Sequence, residues 1–418
     1  MTLQVAVIGA GIMGAACALA LLRDGHRVSL IEPGEAGGEQ AASYGNGAWL
    51  SPASVVPMSM PGLWRKVPGY LLDRSGPLTI RWQDLPELMP WLLRFLRAGA
   101  TVPRVEATAR ALSALLHDSP ARHRALAQAA GVADLIVPSG LLYAYADRAE
   151  FEAEALAWRL RRDNRVTWEA VEGADLRVQA PDLAERYRFA VLVRDGAYCE
   201  DPGAYVAALV AAAERAGAKL HRASGLGFRQ AGGRLVAVLT DQGEWPCDRA
   251  VIAAGIRSAS LASTLGDRIP LASERGYHVM LADAPIRLPV PVMPADGKMA
   301  NTQLRAGLRV AGQVELAAAD SPPDWRRAEI LWQHARQAYP ALAACGRQPS
   351  ARWLGHRPST PDGLPVLGPS PSCGDVLLAF GHGHVGLAGA PASAELIADL
   401  VAGRTPSIEA HPYRAQRF

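Results

Sequence analysis

Val5-Ala6-Val7-Ile8-Gly9-Ala10-Gly11-Ile12-Met13-Gly14 is the stretch on which the fold turns. A β-type run, Leu3 to Ile8, meets glycines at 9, 11 and 14, and a helical run continues from Ile12 to Arg23 before Asp24-Gly25 ends it. Arg27 to Ile31 reads as a second strand finishing at Glu32, which makes a βαβ unit. The 18 residues from Val5 to Leu22 carry no charge, a length that also suits a membrane span or a signal-peptide core. No basic segment precedes them, and the three glycines divide them into two periodicities, so both alternatives are set aside. Gly9 permits the tight turn, Gly11 lets the backbone approach a pyrophosphate, and Gly14 lets the helix lie close on the strand. The unpaired amides and positive dipole end of that helix suit phosphate. Glu32, placed to accept hydrogen bonds from an adenosine ribose, completes a dinucleotide site. The turn by itself does not separate NAD from FAD.

The rest of the composition is that of a folded protein with two domains. The chain has 418 residues, 50% hydrophobic and 20% charged, a balance that excludes a disordered tail protein, a collagen or a coiled coil. Basic and acidic residues nearly cancel, to a formal +3, with no Lys/Arg run, so nucleic acid is not an expected partner. Lys66, Lys219 and Lys298 are the only lysines. Cys17, Cys199, Cys247, Cys345 and Cys373 are odd in number and scattered, which fits neither a disulfide framework nor a metal site, and points to a reducing compartment.

Residues 41–52 (AASYGNGAWLSP) are too glycine-rich for a helix and suit backbone contact with a cofactor. Arg81 to Ala98 reads as an amphipathic helix broken at Pro86 and Pro90, which either covers a pocket or core or rests on a membrane surface. Val105 to Ala130 and Arg148 to Arg162 have helical patterning, and Leu135 to Tyr145 looks like a strand pair around Ser139-Gly140. Strand-like runs at Leu226 to Gln230, Arg234 to Thr240 and Arg249 to Ala254 follow an alanine-rich helix, Ala204 to Ala216. The last run enters Gly255 as a buried strand returning to the first sheet.

Five segments in order carry a family likeness: the GAGIMG turn with Glu32, SYGNGAWLSP, ERGYHVML (Glu274 to Leu281), GHRPSTPDGLPVLGPS (Gly355 to Ser370) and GHGHVGL (Gly381 to Leu387). Over essentially its whole length the chain resembles the FAD-dependent amine oxidoreductases of the D-amino acid oxidase and glycine oxidase superfamily, and its motifs are most similar to bacterial D-amino acid dehydrogenases. The resemblance implies an α/β fold: a Rossmann-type, glutathione-reductase-like FAD-binding domain with an interleaved α+β substrate domain on a mixed β-sheet. We place the FAD-binding domain at 1–62, 198–265 and 352–418, and the substrate-binding domain at 63–197 and 266–351.

The cofactor implied is FAD, held without a covalent bond since no anchor is evident, and no metal is expected. Besides Gly9, Gly11, Ile12, Met13, Gly14 and Glu32, the resemblance assigns cofactor contact to Ser43, Asn46 and Gly47, to Ala254 and Gly255, and to Gly363. The C-terminal segment adds Gly381, Gly383, His384, Val385, Gly386 and Leu387, with its helix amides toward the flavin's pyrimidine edge. Flavin supplies the redox chemistry, so the protein needs chiefly a carboxylate clamp, for which the planar fork of arginine is suited. The resemblance puts Arg357 at the carboxylate-binding position and Arg275, beside Tyr277 and His278, at a second active-site position. His278 and His356 are candidates to receive the amine proton or bond a polar side chain.

The implied reaction is oxidative deamination of a D-amino acid by hydride transfer from Cα to flavin N5, with electrons passed to a quinone or other carrier. The imidazole of His356 suits a small substrate carrying a hydroxyl, and the similarity to the branch that oxidises cis-4-hydroxy-D-proline implies that compound, or D-proline, as substrate. An oxygen-using oxidase of glycine, sarcosine or an opine is the first alternative, and a flavin-binding subunit of a larger complex the second. The expected location is cytoplasmic, with 81–98 as a peripheral contact on the inner face of the cell membrane.

Overall fold

The structure is a computed structural model and describes residues 2–65, Gly69, Gly76 and 78–418. Short apolar runs ending in glycine or a polar residue form its first sheet. Strands Lys219–His221, Arg27–Ile31, Gln4–Ile8, Arg249–Ile252 and Val376–Phe380 lie side by side in that order and in parallel, and Val366–Pro369 closes the edge antiparallel. The central strands are buried on both faces, as a parallel sheet covered by helices requires. Helices Ile12–Arg23 and Gly386–Ala402 pack against each other over one face, and their small residues (Ala15, Ala16, Ala18, Ala390, Ala394) allow the close approach. Helix Gly386–Ala402 ends where Gly403 takes a left-handed conformation, φ +69°. The segment Gly383–Ala402 has the length and hydropathy to cross a membrane, but its most apolar 18-residue window is 72% buried inside the protein. An antiparallel meander, Gly225–Ala231, Arg234–Thr240 and Gly243–Pro246, adds a strand at 243–246 that the sequence reading left out.

The second sheet is mixed and larger. Its strand order is Ala351–Ser359, Ala272–Leu281, Gly307–Leu316, Ala300–Leu304, Val292–Pro294, Leu141–Tyr145, Phe189–Val193 and Glu169–Glu172, and Leu78–Ile80 pairs with the end of Gly307–Leu316. Its back is covered by helix Arg326–Ala338, which buries Leu331, Trp332 and Ala335 against Tyr277, Val279, Leu281 and Val310. Each such apolar side chain contributes about 1.5–3 kcal/mol on burial. The other face looks toward the carboxyl ends of the parallel sheet.

Two features depart from the sequence division into domains. Strand Ala351–Ser359, grouped with the FAD-binding piece from 352, pairs along its length with Ala272–Leu281 in the mixed sheet. Leu112, Leu115 and Leu116 of helix Val102–Leu116 and Ala127 of helix Ser119–Ala130 join the core under the parallel sheet, although they fall within 63–197. The expected hairpin at Ser139-Gly140 also does not form. Ile136–Pro138 pairs with Ala197–Cys199, while Leu141–Tyr145 pairs with Phe189–Val193 and Val292–Pro294. Finally, helix Leu85–Ala98 runs unbroken through Pro86 and Pro90. Pro86 lies in the first turn, where its missing amide has no helical partner, so one ladder hydrogen bond is lost at Pro90. Trp91 stacks on Phe95 and donates from Nε1 to Ser359 O (3.0 Å), while Trp82, Met89 and Leu93 are exposed.

Candidate active site

At the carboxyl edge of the parallel sheet, the turn after Val376–Phe380 and the 43–47 loop reach the mixed sheet through His384–Glu274 and Gly45–His278 and border the crevice between the two sheets. Gly9 has φ +102°, and a Cβ there would stand 2.4 Å from Ala253 O, so the turn sits directly on the end of the neighbouring strand and on Ala254. A Cβ on Gly14 would meet Gly9 O at 1.8 Å, so only glycine lets the helix start this close to the turn. At Gly11 the nearest atom to such a Cβ is Ser43 Oγ at 3.5 Å, which leaves an open cradle. Helix Ile12–Arg23 begins there with no side-chain cap and no acidic residue in its first turn, and Ile12 N donates to Ser43 Oγ at 3.4 Å. The Glu32 carboxylate closes the far side, accepting from Ala10 N (2.8 Å) and Gly34 N (3.0 Å).

A second uncapped helix start faces the same crevice. Gly381 (φ +84°) and Gly383 (φ +52°) turn the chain from strand Val376–Phe380 into helix Gly386–Ala402, which likewise has no cap and no acid in its first turn. His382 is buried beneath this turn against Ser393 Oγ (3.0 Å), and burial pulls its imidazole down to about 4, so it is neutral. His123 braces the helix from behind, bonded to Tyr205 Oη (2.9 Å) and Leu387 O (2.8 Å).

The facing surface is the front of the mixed sheet, and strand alternation decides which side chains reach it. On Ala272–Leu281 these are Glu274, Gly276, His278 and Met280. On Ala351–Ser359 they are Trp353, Gly355 and Arg357, with Glu274 opposite Arg357 and His278 opposite Trp353. The Arg357 guanidinium lies flat over Gly276, where a Cβ would approach Nη2 to 2.2 Å, and donates from Nη1 to Gln313 O (3.0 Å). That is its one hydrogen bond among the described residues, so most of the fork is open. Burial pushes this guanidinium below its ordinary range, opposed by the charge of Glu274. Glu274 bonds His384 Nε2 at 2.6 Å. Burial would raise this carboxyl, but His384, Arg357 and Ser359 outweigh it and hold it below the ordinary range, so it is ionised.

The 43–47 loop closes the crevice between the sheets. His278 Nδ1 is 2.9 Å from Gly45 O, and its ring stacks on Trp353. Burial first, then the charge of Arg309, pulls His278 down to about 3, which makes it a neutral donor to that carbonyl. Arg309, which the sequence reading passed over, is buried beneath the loop and donates from Nη1 to Tyr44 O (2.9 Å) and Asn46 O (3.1 Å). Thr302 Oγ1 holds Gly47 O at 3.0 Å.

Two uncapped helix starts, a glycine cradle and an acidic residue at the second strand's end are together the set of groups that a dinucleotide needs. A sequence model of the DAO family, described as FAD dependent oxidoreductase, matches residues 4–400. The chain belongs to this DAO family of FAD-dependent oxidoreductases. It is 48% identical to a D-amino-acid oxidase of Bradyrhizobium diazoefficiens over 418 residues, 99% of each chain. It is 33% identical to D-amino acid dehydrogenase 2 of Ralstonia nicotianae, over 99% of this chain and all of that one. Its fold is similar to glycine oxidase from Geobacillus kaustophilus, TM-score 0.73 and 23% identity, covering 100% of this chain and 99% of that one.

For a DAO-family protein the residues present fit FAD. The open space at Gly11 with the helix start beside it suits the pyrophosphate, Glu32 the ribose, and the start of Gly386–Ala402 the flavin. Gly255 (φ +57°) and Gly363 (φ +78°) supply the tight turns alongside. Ile12, Met13, Val385 and Leu387 turn their side chains into the core and offer only backbone amides. Asn46 is occupied by its own loop, donating to Ser43 O (2.8 Å) and accepting from Ala48 N (2.6 Å), so it shapes the turn.

Three expected active-site residues lie on the wrong side of the sheet. Arg275 and Tyr277 alternate with Glu274 and Gly276 and therefore point backward. Arg275 pairs with Glu315 (3.3 Å) and with the carbonyls of Ser321 and Pro322, and Tyr277 Oη donates to the same Glu315 carboxylate. His356, opposite Arg275 in the ladder, shares that face and bonds Ser273 Oγ through Nδ1 at 2.9 Å. The front-facing Glu274 is adjacent in sequence to the residue chosen; period-two alternation puts the two on opposite faces, and the strand pairing decides which face is the front.

Proposed function

We propose that this protein oxidises a D-amino acid at its Cα–N bond. The observation that carries the reading is the open Arg357 fork on the front face of the mixed sheet, beside an ionised Glu274. When bound, FAD brings two-electron oxidation of a carbon–nitrogen bond. Arg357 takes the substrate carboxylate as a bidentate pair, which fixes the molecule by one end. Gly276 lets the Arg357 guanidinium lie flat on the sheet and Gly355 does the same for the Trp353 ring, and Trp353 stacks with His278 on the side of the 43–47 loop. The D configuration is supported by the two relatives named above, which cover the whole chain.

Two electron acceptors each have an observation in their favour. A quinone or other membrane carrier is favoured by the exposed Trp82, Met89 and Leu93 of the 82–98 segment, with Arg94 and Arg97 beside them, a face suited to an anionic lipid surface. Dioxygen is favoured by the name of the 48% identical relative. The narrower substrate, cis-4-hydroxy-D-proline or D-proline, rests on the family resemblance and on His356, and that imidazole faces Ser273 on the back of the sheet. Both compounds therefore enter the test as ordinary candidates.

The experiment measures turnover of the purified flavoprotein with paired D- and L-amino acids, D-proline and cis-4-hydroxy-D-proline. Reduction of a quinone analogue and oxygen uptake are followed separately. Turnover of D-forms only supports the reading, and turnover confined to glycine, sarcosine or L-amino acids overturns it.

A further inference from the structure

The buried Glu274 carboxylate on the front face is tied to a histidine from the opposite domain. Glu274 Oε2 and His384 Nε2 are 2.6 Å apart, and the two side chains differ sharply in exposure, 5% for the glutamate against 32% for the histidine. The carboxylate is therefore enclosed while the imidazole keeps an edge on the crevice. Nδ1 of His384 has no partner among the described residues. A buried carboxylate that holds one ring nitrogen fixes the ring's orientation and tautomer and leaves the other nitrogen as a proton acceptor.

The position suits one particular proton. Glu274 and Arg357 are directly opposed in the ladder, which places their Cβ atoms about 4.5–5.5 Å apart. In an amino acid the amine nitrogen is only about 2.5 Å from the carboxylate carbon, from ordinary bond lengths and angles. The guanidinium itself lies over Gly276, two residues along the strand from Glu274, so a substrate clamped there with its amine turned toward Glu274 carries its ammonium group toward the His384 ring. Resting on the function proposed above, we propose that Glu274 and His384 form a catalytic dyad in which His384 Nδ1 accepts the proton of the substrate ammonium group.

The step balances. The ammonium N–H bond breaks and its proton passes to Nδ1, leaving a free amine and an imidazolium paired with Glu274. The Cα–H bond then breaks with its electron pair, FAD being the oxidant, and the amine lone pair forms the C=N bond. Water hydrolyses the iminium product to a 2-oxo acid and ammonium, and His384 returns its proton to solvent. The charged and titratable groups facing the dyad are few. Strand Ala351–Ser359 contributes Arg357, strand Ala272–Leu281 contributes Glu274, and the turn before Gly386–Ala402 contributes the neutral His382 and the positive helix end. Helix Leu85–Ala98 presents the indole of Trp91 there, on Ser359 O, and carries Arg94 and Arg97 exposed.

The test compares pH profiles of kcat/KM for a bleaching D-amino acid in the holoenzyme, His384→Gln and Glu274→Gln. Flavin content and benzoate binding, read as a change in the flavin spectrum, serve as the second readout. In His384→Gln, kcat/KM at neutral pH should fall about a hundredfold. Its acidic limb should move up to the pH at which the free substrate loses its own ammonium proton. In Glu274→Gln, which removes the dyad's negative charge, the limb should move to lower pH. Benzoate, which has no amine, should bind His384→Gln within about twofold of the parent. A His384→Gln profile that superposes on the parent overturns the dyad, and so does a loss of benzoate binding equal to the loss of kcat/KM. A parent flavin bleached by no D-amino acid overturns the underlying function and the dyad with it. If His384→Gln fails to hold flavin, the direction of the Glu274→Gln shift decides: a limb that stays in place or moves up overturns the proposal.

Discussion

The guanidinium of Arg357 lies across Gly276, at a point where a Cβ would stand 2.2 Å from Nη2. The clamp is therefore set by two residues on adjacent strands. One supplies the charge and the other the absence of a side chain. A methyl group at 276 meets the far end of a flexible side chain, so the strand survives and the arginine moves.

Gly276→Ala is expected to raise KM for the amino acid about tenfold while flavin content and melting temperature stay near the parent's. Steady-state kinetics alongside the flavin spectrum check this, and an unchanged KM would show that the arginine's seat over 276 is immaterial.

Arg357→Ala should cost about 2 kcal/mol or more in kcat/KM, near thirtyfold, as expected for a lost charged hydrogen-bond pair. Arg357→Lys should recover little, because a point charge does not reproduce the fork. Full recovery by lysine would argue for simple charge attraction instead of bidentate binding.

Substitutions in the glycine turn separate cofactor binding from catalysis. Gly14→Ala places a Cβ 1.8 Å from Gly9 O, and overpacking against backbone costs about 1–3 kcal/mol. That exceeds the roughly 1 kcal/mol a helix gains from alanine over glycine. Flavin occupancy and the melting temperature should both fall. Glu32→Gln presents an amide to the two backbone donors and should weaken FAD binding about tenfold, measured by flavin fluorescence on reconstitution. FAD should also leave completely into the supernatant on acid precipitation, since no covalent link is expected.

Three buried imidazoles predict acid sensitivity. His123, His278 and His382 are drawn down to about 4, about 3 and about 4 by burial, from an ordinary value near 6.5. Between those limits the unfolded chain binds protons that the folded chain does not, so stability rises with pH and is lost as pH falls below about 6.5. Each contributes a slope of about 1.4 kcal/mol per pH unit in that window. The drop in melting temperature from pH 7 to pH 5 should be smaller in His382→Gln than in the parent. An identical drop would mean that His382 does not titrate on unfolding.

Much of this was legible in the residues. The β-to-helix break at Gly9 to Gly14 placed helix Ile12–Arg23 at its observed ends, because glycine spacing and the Asp24-Gly25 stop are local signals. The motif around Arg357 pointed to that residue, which the structure places on the front face of the mixed sheet. What was missed depends on neighbours distant in sequence. Arg275 and Glu274 are adjacent, and only the pairing of their strand decides that one faces helix Arg326–Ala338 and the other faces His384, 110 residues away. Arg309 carries no local signal, since its role rests on the carbonyls of Tyr44 and Asn46. Pro90 inside a helix shows the same thing in reverse, as burial of Leu88 and Trp91 outweighs one lost hydrogen bond.

The most direct test of the account is an anaerobic absorption spectrum of the parent protein and Arg357→Ala, titrated with D-alanine, L-alanine, D-proline and cis-4-hydroxy-D-proline. The account predicts that the parent flavin bleaches with a D-compound and with no L-compound, and that Arg357→Ala needs at least tenfold more of it. Bleaching by L-alanine, or equal bleaching of Arg357→Ala at the same concentrations, would contradict it.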